Sequence, residues 1–579
     1  MAEFCVAAVF SNHMVLQREK NVKIFGEGED GQTVTVEFRN QKVTAVVANG
    51  RWCAELAPMR ASVRMPQGKE CEDPYGDCFS GDTMTVCCGA AVRTFVDVAV
   101  GEVWLAGGQS NMEFELQNCR GGKDFLENDK NPGVRFYYTQ KNASKDAHFY
   151  EAEKNSAWST FDAKRARCWS AVGYFFARRL AEKLGVVVGV IGCNWGGTSA
   201  SCWMDKETLA RDAELKTYLQ DYEAAVAGKS EEEQIAEYRA YEKYDAEWNE
   251  RAGRCYAEDP TISWEEVQRR CGENKWPGPM GCINPFRPAG LYECMLRRVM
   301  PYTLRGFLYY QGESDDHKPR MYERLFCEMI AKWREDWEDH TLPFLMVQLP
   351  MHRYAADPDY KHWCLIREAQ MRVFETVKNT GIAVILDLGE FNEIHPKEKE
   401  AVGERLALQA MWLVYGLCTK KAAFGPVYRD AVPCGSELLV RFDCAEDGFV
   451  VRAGDDAGQA AGKNLAIQEP EEADGKEHIA GGVGENSGMF GAGFELAGAD
   501  KKFVPAQVSF DAEHADVLRL TAEGVERPVY ARYCWTNYGP VNYFGKNGLP
   551  VAPFRTSRKD ETDEGGKEER VEIRQVMEL

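Results

Sequence analysis

The chain has 579 residues, of which 44% are hydrophobic, 11% aromatic and 28% charged. That is an ordinary globular composition, and it excludes a wholly disordered or collagen-like chain. The formal net charge is −21, and a field of that sign repels phosphate backbones and anionic lipid, so neither nucleic acid nor a membrane surface is an expected partner. No run reaches the roughly 18 consecutive apolar residues of a membrane helix. The start, MAEFCVAAVFSNHMVLQREK, has an acid at position 3 and no basic stretch before its apolar run, which argues against a secretory signal. Twenty cysteines without one C-x-x-C pair read as small buried hydrophobes in a reducing, cytoplasmic setting. An exported, disulfide-bonded protein is the alternative.

At this length two to four domains are expected. Residues 1–99 predict a small β-sandwich, with strands at VTVEF (34–38), VTAVVA (43–48) and TMTVCC (83–88) separated by Gly and Asn turns. From 100 the pattern becomes α/β. Apolar runs at 100–108, 185–193, 306–312, 342–350 and 381–389, with helical spacing over 170–185, predict a parallel sheet covered on both faces. Residues 205–280 interrupt that series. Tyr218 and Tyr222, then Tyr238, Tyr241, Tyr244 and Trp248, step by three or four and predict two amphipathic helices. They read either as a hairpin packed on the main domain or as a lid over an active site. Strands return at 437–442, 506–510, 516–522 and 529–535, around a Gly-, Ala- and acid-rich stretch, 454–490, that reads as a mobile loop. The expected division is an N-terminal β-sandwich (1–99), an α/β domain (100–420) with a helical insertion (205–280), a C-terminal β-rich domain (421–556) and a charged tail (557–579).

Several motifs are dismissed on context. Gly26-x-Gly28-x-x-Gly31 leads into a strand, whereas a dinucleotide fingerprint must open a helix. No P-loop, H-E-x-x-H or G-x-S-x-G pattern occurs. The informative stretch is GEVWLAGGQSNMEFEL (101–116), an apolar run followed by Gly107-Gly108 and then Ser110. If a helical turn follows, Ser110 stands at its N-terminus, where free N–H groups favour negative charge. It reads equally as a simple N-cap. Three further runs end in IGCNWGGTSASCW (191–203), with Gly196-Gly197; in GFLYYQGESDD (306–316), with Gln311; and in GEFNEIHPKEKEAVGERLALQAMW (389–412), with His395. A side-chain amide at the third tip can donate to a developing oxyanion. Ser, Gly, Gln and His on four separate strand tips together form a serine acyl-transfer pattern.

GGQSNM, GGTSASCW, YYQGESD and NEIHP resemble the four sequence blocks of the SGNH (GDSL-like) hydrolases, and more closely the sialate O-acetylesterase group of carbohydrate esterases. MVLQR (14–18), PAGLYECM (288–295), LPFLMVQLP (342–350), REAQ (367–370) and GLPVAPFRT (548–556) extend the likeness through most of the chain. The resemblance implies a flavodoxin-like three-layer α/β domain flanked by all-β, sandwich or jelly-roll-like domains. It implies Ser110 as nucleophile and His395 as base, with an oxyanion hole from the Ser110 N–H, the Gly197 N–H and the Gln311 side chain. The family's carboxylate positions hold Asn392 and Glu393 here. Glu393 is taken as third member of the triad, with Asp387 or a Ser–His dyad as alternatives. No metal or organic cofactor is required. The expected substrate is an acetylated mono- or oligosaccharide: an O-acetylated sialic acid first, acetylated xylan or mannan fragments second. A non-catalytic carbohydrate-binding protein is the reading from another class, and a homo-oligomer is left open.

Overall fold

The computed structural model describes residues 4–62, 79, 81–129, 133–145, 147–259, 262–355, 359–452 and 493–559. The loop expected at 454–490 and nearly all of the charged tail lie outside them. The described residues before Ala91 form short strands. Val15–Gln17 pairs parallel with residues 99–101 of the next strand. The others are antiparallel, among them Val22–Glu27, Thr33–Phe38, Arg51–Leu56 and Asp82–Cys88. Their period-two alternation turns Ile24, Val36, Trp52 and Val86 inward.

The next strand, Ala91–Gly108, is 18 residues long. Its first half pairs antiparallel with Asp82–Cys88. Its second half runs parallel between Val188–Asn194 and Gly306–Tyr310. Burial changes accordingly, from partly exposed positions to a continuous buried run after Asp97. The sequence division at 99/100 therefore falls inside one strand, where no linker exists.

The central sheet has the spatial order Ser159–Thr160, Val134–Tyr138, Val188–Asn194, Ala91–Gly108, Gly306–Tyr310, Phe344–Val347, Thr380–Ala383. Only the first pair is antiparallel. Both faces are covered. Trp104 meets Phe176 of helix Ala171–Leu184 edge-on at 5.2 Å. Gly107, three residues along and hence on the other face, lies against Trp333 of helix Pro319–Asp336. The chain leaves Ala91–Gly108 for one side of the sheet and later returns to its other side at Gly306–Tyr310. The C-terminal end of Ala91–Gly108 is thus a topological switch point, the place where open parallel sheets bind ligands.

The insertion differs from expectation. Among the described residues it contains two helices beyond the pair expected from the stripe, giving Lys206–Arg211, Lys216–Ala225, Glu231–Glu258 and Trp264–Cys271. The tyrosine stripe sits on the second and third. A Ser230–Glu233 capping box starts the 28-residue helix Glu231–Glu258. After 420 the described residues build two four-stranded antiparallel sheets and a two-stranded one, Phe449–Val451 with Tyr543–Gly545. Tyr428, Phe442, Phe494, Tyr533 and Phe554 join the two larger sheets across their facing sides.

One buried carboxylate ties the N-terminal strands to the central sheet. Glu102 is fully buried and accepts from Arg18 Nε at 2.5 Å, Arg305 Nε at 2.7 Å and Gln17 Nε2 at 3.0 Å. Burial works to raise its pKa, but Arg305, then Arg18 and Gln17, outweigh it and hold the carboxyl below the usual range. Its contribution to stability is complete above the ordinary carboxylate pKa and is lost as pH falls through the lowered folded value. Glu102→Ala is expected to lower the free energy of unfolding in guanidinium by about 3 kcal/mol, since it strands two arginines. An unchanged midpoint would refute this role.

Candidate active site

Gln109 occupies the N-cap of a four-residue helix, Ser110–Glu113, and makes no side-chain capping bond. Ser110 is therefore the first helical residue and not the N-cap. Its Oγ lies 2.8 Å from His395 Nε2. The Ser110 N–H heads the helix with no acceptor among the described residues, as the first turn of a helix dictates.

His395 reaches this position by a long route. The strand before it, Thr380–Ala383, lies three strands away from Ala91–Gly108, or about 14 Å at ordinary strand spacing. A 3-10 turn, Leu386–Leu388, and the following loop bring the chain back across the sheet edge. Asn111, next to Ser110, holds that loop. Its Nδ2 donates to the Ile394 carbonyl at 2.9 Å and to Glu313 Oε1 at 2.6 Å. Its Oδ1 accepts from Lys399 Nζ at 2.6 Å. One amide thus joins the serine turn, the residue before the histidine and the tip of the Gly306–Tyr310 strand. The side chains of Asn111, Glu313 and Lys399 are all buried. Burial lowers the Lys399 pKa to about 7 and raises that of Glu313. The Lys399 ammonium also lies 4.8 Å from the Phe114 ring centre.

The His395 pKa is lowered, by burial first and then by the Lys399 charge, with Glu393 and Glu113 pulling the other way. Glu393 Oε1 accepts the His395 backbone N–H at 2.8 Å. The same oxygen is 3.8 Å from His395 Nδ1, beyond hydrogen-bond length. Glu393 therefore orients the histidine's backbone and faces its ring without bonding it. Asp387, the other carboxylate considered from sequence, is engaged elsewhere: both oxygens receive Arg405, at 2.6 and 2.7 Å.

Gly197 lies in the turn after Val188–Asn194, at φ +76°. Its N–H has no acceptor among the described residues. The neighbouring Gly196 N–H donates to Glu113 Oε2 at 2.8 Å, and a Cβ on Gly196 would stand 3.2 Å from Ser110 Cβ. The glycine turn is therefore pressed against the serine turn.

Gln311 departs from its expected role as an oxyanion donor. Its Nε2 gives one hydrogen to Asp315 Oδ2 at 2.6 Å and the other to the Thr198 carbonyl at 3.2 Å. Its Oε1 accepts from Tyr322 at 3.0 Å. With both amide hydrogens committed, Gln311 acts through Thr198, the residue after Gly197. Asp315, fully buried, also receives Ser199 Oγ at 2.6 Å, the Ala200 N–H at 2.9 Å and the Tyr218 hydroxyl at 3.1 Å. Sequence reasoning placed Glu313 at a strand tip but gave no role to it, or to Asn111, Lys399 and Asp315, although all four lie in the quoted blocks or next to them. Their spacing carries no pattern, because each works across chain-distant loops. Among the described residues, no group of three His, Cys, Asp or Glu side chains could hold a metal ion, and no helix is long and apolar enough to cross a membrane.

Residues 100–236 and 281–411 match the family model described as carbohydrate esterase, sialic acid-specific acetylesterase. The chain is 27% identical to the sialate O-acetylesterase of Mus musculus over 444 residues, covering 71% of this chain and 74% of that one. To the sialate O-acetylesterase of Homo sapiens it is 26% identical over 446 residues, 71% of each. A solved carbohydrate acetylesterase from Xanthomonas citri superposes with a TM-score of 0.68 at 25% identity, covering 95% of this chain and 99% of that one. The fold and these likenesses define an ester hydrolase of the carbohydrate-esterase class. Its α/β unit is similar to the sialic acid-specific acetylesterase family over the two matched stretches.

Asn111→Ala removes the link between the serine and histidine loops. It is expected to lower kcat on 4-nitrophenyl acetate by about 10²-fold with little change in KM, the scale of a roughly 1 Å misplacement. Equal kcat in the variant would mean that the loops hold their positions without it.

Proposed function

We propose that the protein removes acetyl groups from O-acetylated sugars through an acyl-enzyme on Ser110, with 9-O-acetylated sialic acid as the leading substrate. The observation that carries this reading is the 2.8 Å Ser110 Oγ–His395 Nε2 contact, at the switch point of a carbohydrate-esterase sheet. The architecture we assign is the SGNH-type three-layer α/β domain, with β-rich regions before and after it. Domains 1–99, 100–420 with its insertion, and 421–556 remain our working division. In this reading the insertion is part of the substrate-facing surface.

His395 takes the Ser110 proton as Oγ attacks the acetyl carbonyl. The tetrahedral oxyanion meets the N–H groups of Ser110 and Gly197, which have no other acceptor to give up. Such preset donors stabilise charge that exists only in the transition state. The imidazolium, facing Glu393 across 3.8 Å, then protonates the departing sugar hydroxyl. Water, deprotonated by the same ring, hydrolyses the acetyl-serine and regenerates the site. The loop held by Asn111 keeps base and nucleophile together through both halves. Glu393 supplies an electrostatic bias on the imidazolium in place of a carboxylate–imidazole hydrogen bond.

Acetate release across O-acetylated sialic acids, xylo-oligosaccharides and manno-oligosaccharides tests the substrate. Release from 9-O-acetyl sialic acid, abolished by Ser110→Ala, is the expected result. Turnover of xylan or mannan fragments alone would move the assignment to acetylated hemicellulose, and no turnover of any sugar would leave a binding protein. Because burial and Lys399 lower the His395 pKa, kcat/KM should rise with pH on a limb centred below 6.5, the ordinary imidazole value. A limb above it would place the essential base elsewhere.

We also propose a cytoplasmic location. Its support is the cysteine usage: twenty cysteines occur without one C-x-x-C pair, and Cys88, Cys119, Cys193, Cys202, Cys364 and Cys534 are buried as small hydrophobes. Thiol titration of the denatured protein, prepared without reductant, should find most of the 20 cysteines free, and a count of only a few would overturn the assignment.

A further inference from the structure

The site as described binds an acetyl group and says nothing about the sugar that carries it. The helical insertion bears on that question. Its long helix, Glu231–Glu258, is mostly solvent-exposed, and Trp248 and Ala252 belong to a small core with Val267 and Cys271, separate from the main one. Its other inward groups brace the segment that follows, 272–286. Trp248 Nε1 donates to the Gly272 carbonyl at 2.7 Å, and the Tyr244 hydroxyl to the Glu273 carbonyl at 2.6 Å. Gln234 Oε1 accepts the Cys282 N–H at 3.0 Å. The Tyr241 ring lies so close to Gly278 that a Cβ there would stand 2.5 Å from it. The aromatic stripe of the helix is therefore a support for this segment.

The braced segment carries Trp276. Its backbone N–H is held by Asn274 Oδ1 at 2.7 Å. Its ring packs on one aromatic partner, Phe286, at 5.5 Å and 77°. Yet 48% of Trp276 is exposed, and its indole N–H has no acceptor among the described residues. The ring edge abuts the site itself. A Cβ on Gly197 would lie 2.7 Å from Trp276 Cζ2, and the adjacent Gly196 is the residue pressed against Ser110. A half-open indole thus stands beside Gly197, whose N–H is free among the described residues, and Gly197 follows the glycine that abuts Ser110. The family match passes over it, ending at 236 and resuming at 281.

We propose that Trp276 is a sugar-binding platform: its ring stacks on the apolar C–H face of the pyranose whose acetyl group is bound at Ser110, and the helical insertion exists to hold it there. An indole gives a large flat contact at little entropic cost, together with one N–H for a ring hydroxyl. This rests on the acetylated-sugar reading above.

The test compares the full-length protein with Trp276→Ala and Trp276→Phe, on 9-O-acetyl-N-acetylneuraminic acid, acetylated xylo-oligosaccharide and ethyl acetate. Ethyl acetate has no ring to stack. For the sugar that wild type uses best, Trp276→Ala should raise KM about tenfold with kcat little changed. Trp276→Phe should recover most of that loss, and ethyl acetate hydrolysis should be the same in all three proteins. An equal loss on ethyl acetate would overturn the proposal, since Trp276 would then merely support Gly197. So would an unchanged sugar KM. If wild type hydrolyses ethyl acetate and no acetylated sugar, the substrate reading itself fails and the platform falls with it. Sugar turnover with an unchanged KM in Trp276→Ala defeats the platform alone.

Discussion

The Asn111 side chain is the joint on which the site depends. A parallel sheet delivers each loop at the end of its own strand, and strand spacing keeps those ends apart. Ser110 follows the strand at the switch point, whereas the strand before His395 lies at the sheet's far edge. Bringing Ser110 and His395 to 2.8 Å therefore requires a loop that crosses two intervening strands and stays there. Asn111 is adjacent to Ser110 and bonds the carbonyl of Ile394, the residue before His395. Its remaining donor and its acceptor go to Glu313 and Lys399, one from the intervening strand tip and one from just before helix Glu400–Leu413. Both donors and the acceptor oxygen of this buried amide are engaged only where all three partners are in place, which favours a single arrangement.

The glycine turn is held by the same kind of device. Asp315 is a fully buried carboxylate that receives four neutral donors, from Gln311, Ser199, Ala200 and Tyr218. It joins the strand tip, the turn and the insertion at one point. A buried carboxylate is costly unless its lone pairs are satisfied, and here the satisfaction comes from three chain-distant segments. Gln311 then carries the constraint one step further, to the carbonyl of Thr198. The free N–H groups at Ser110 and Gly197 owe their positions to polar groups that never need to touch substrate.

The C-terminal sheets reach the same loops from outside. The Asn537 carbonyl accepts the His352 N–H at 2.9 Å, Asp359 Oδ1 accepts the Asn537 N–H at 2.9 Å, and Arg367 donates to the Thr536 carbonyl. Tyr538 packs on Phe391, four residues before His395, at 5.2 Å. At the other end, Glu102 fastens the N-terminal strands through Arg18. The long Ala91–Gly108 strand makes that end continuous with the central sheet. The β-rich regions thus bear on the geometry of the hydrolase core from both sides.

Much was legible in the residues alone. Apolar runs ending in glycine marked the strands of the central sheet, because continuous burial leaves a continuous apolar signal. Ser110, Gly197 and His395 stood out because each follows such a run and carries chemistry. The motifs also pointed to a family that the comparisons support. Other features needed the folded chain. Gln311 looked like an oxyanion donor, since an amide at a strand tip can serve that purpose; its hydrogens are spent on Thr198 and Asp315, partners that no local pattern links to it. Glu393 sits at the expected place, but its bond goes to a backbone N–H. The strand through 99/100 hid its continuity, because its two halves pair in different sheets and so show different burial patterns. Trp276 reads in sequence as one more aromatic in a polar insertion. Local sequence determines which segments are strands, helices and turns, because burial period and backbone preference are local. Which side chain spends its hydrogen bonds where, and which aromatic is left half-open beside the glycine turn, depends on contacts between residues far apart in the chain, and only the tertiary structure decides them.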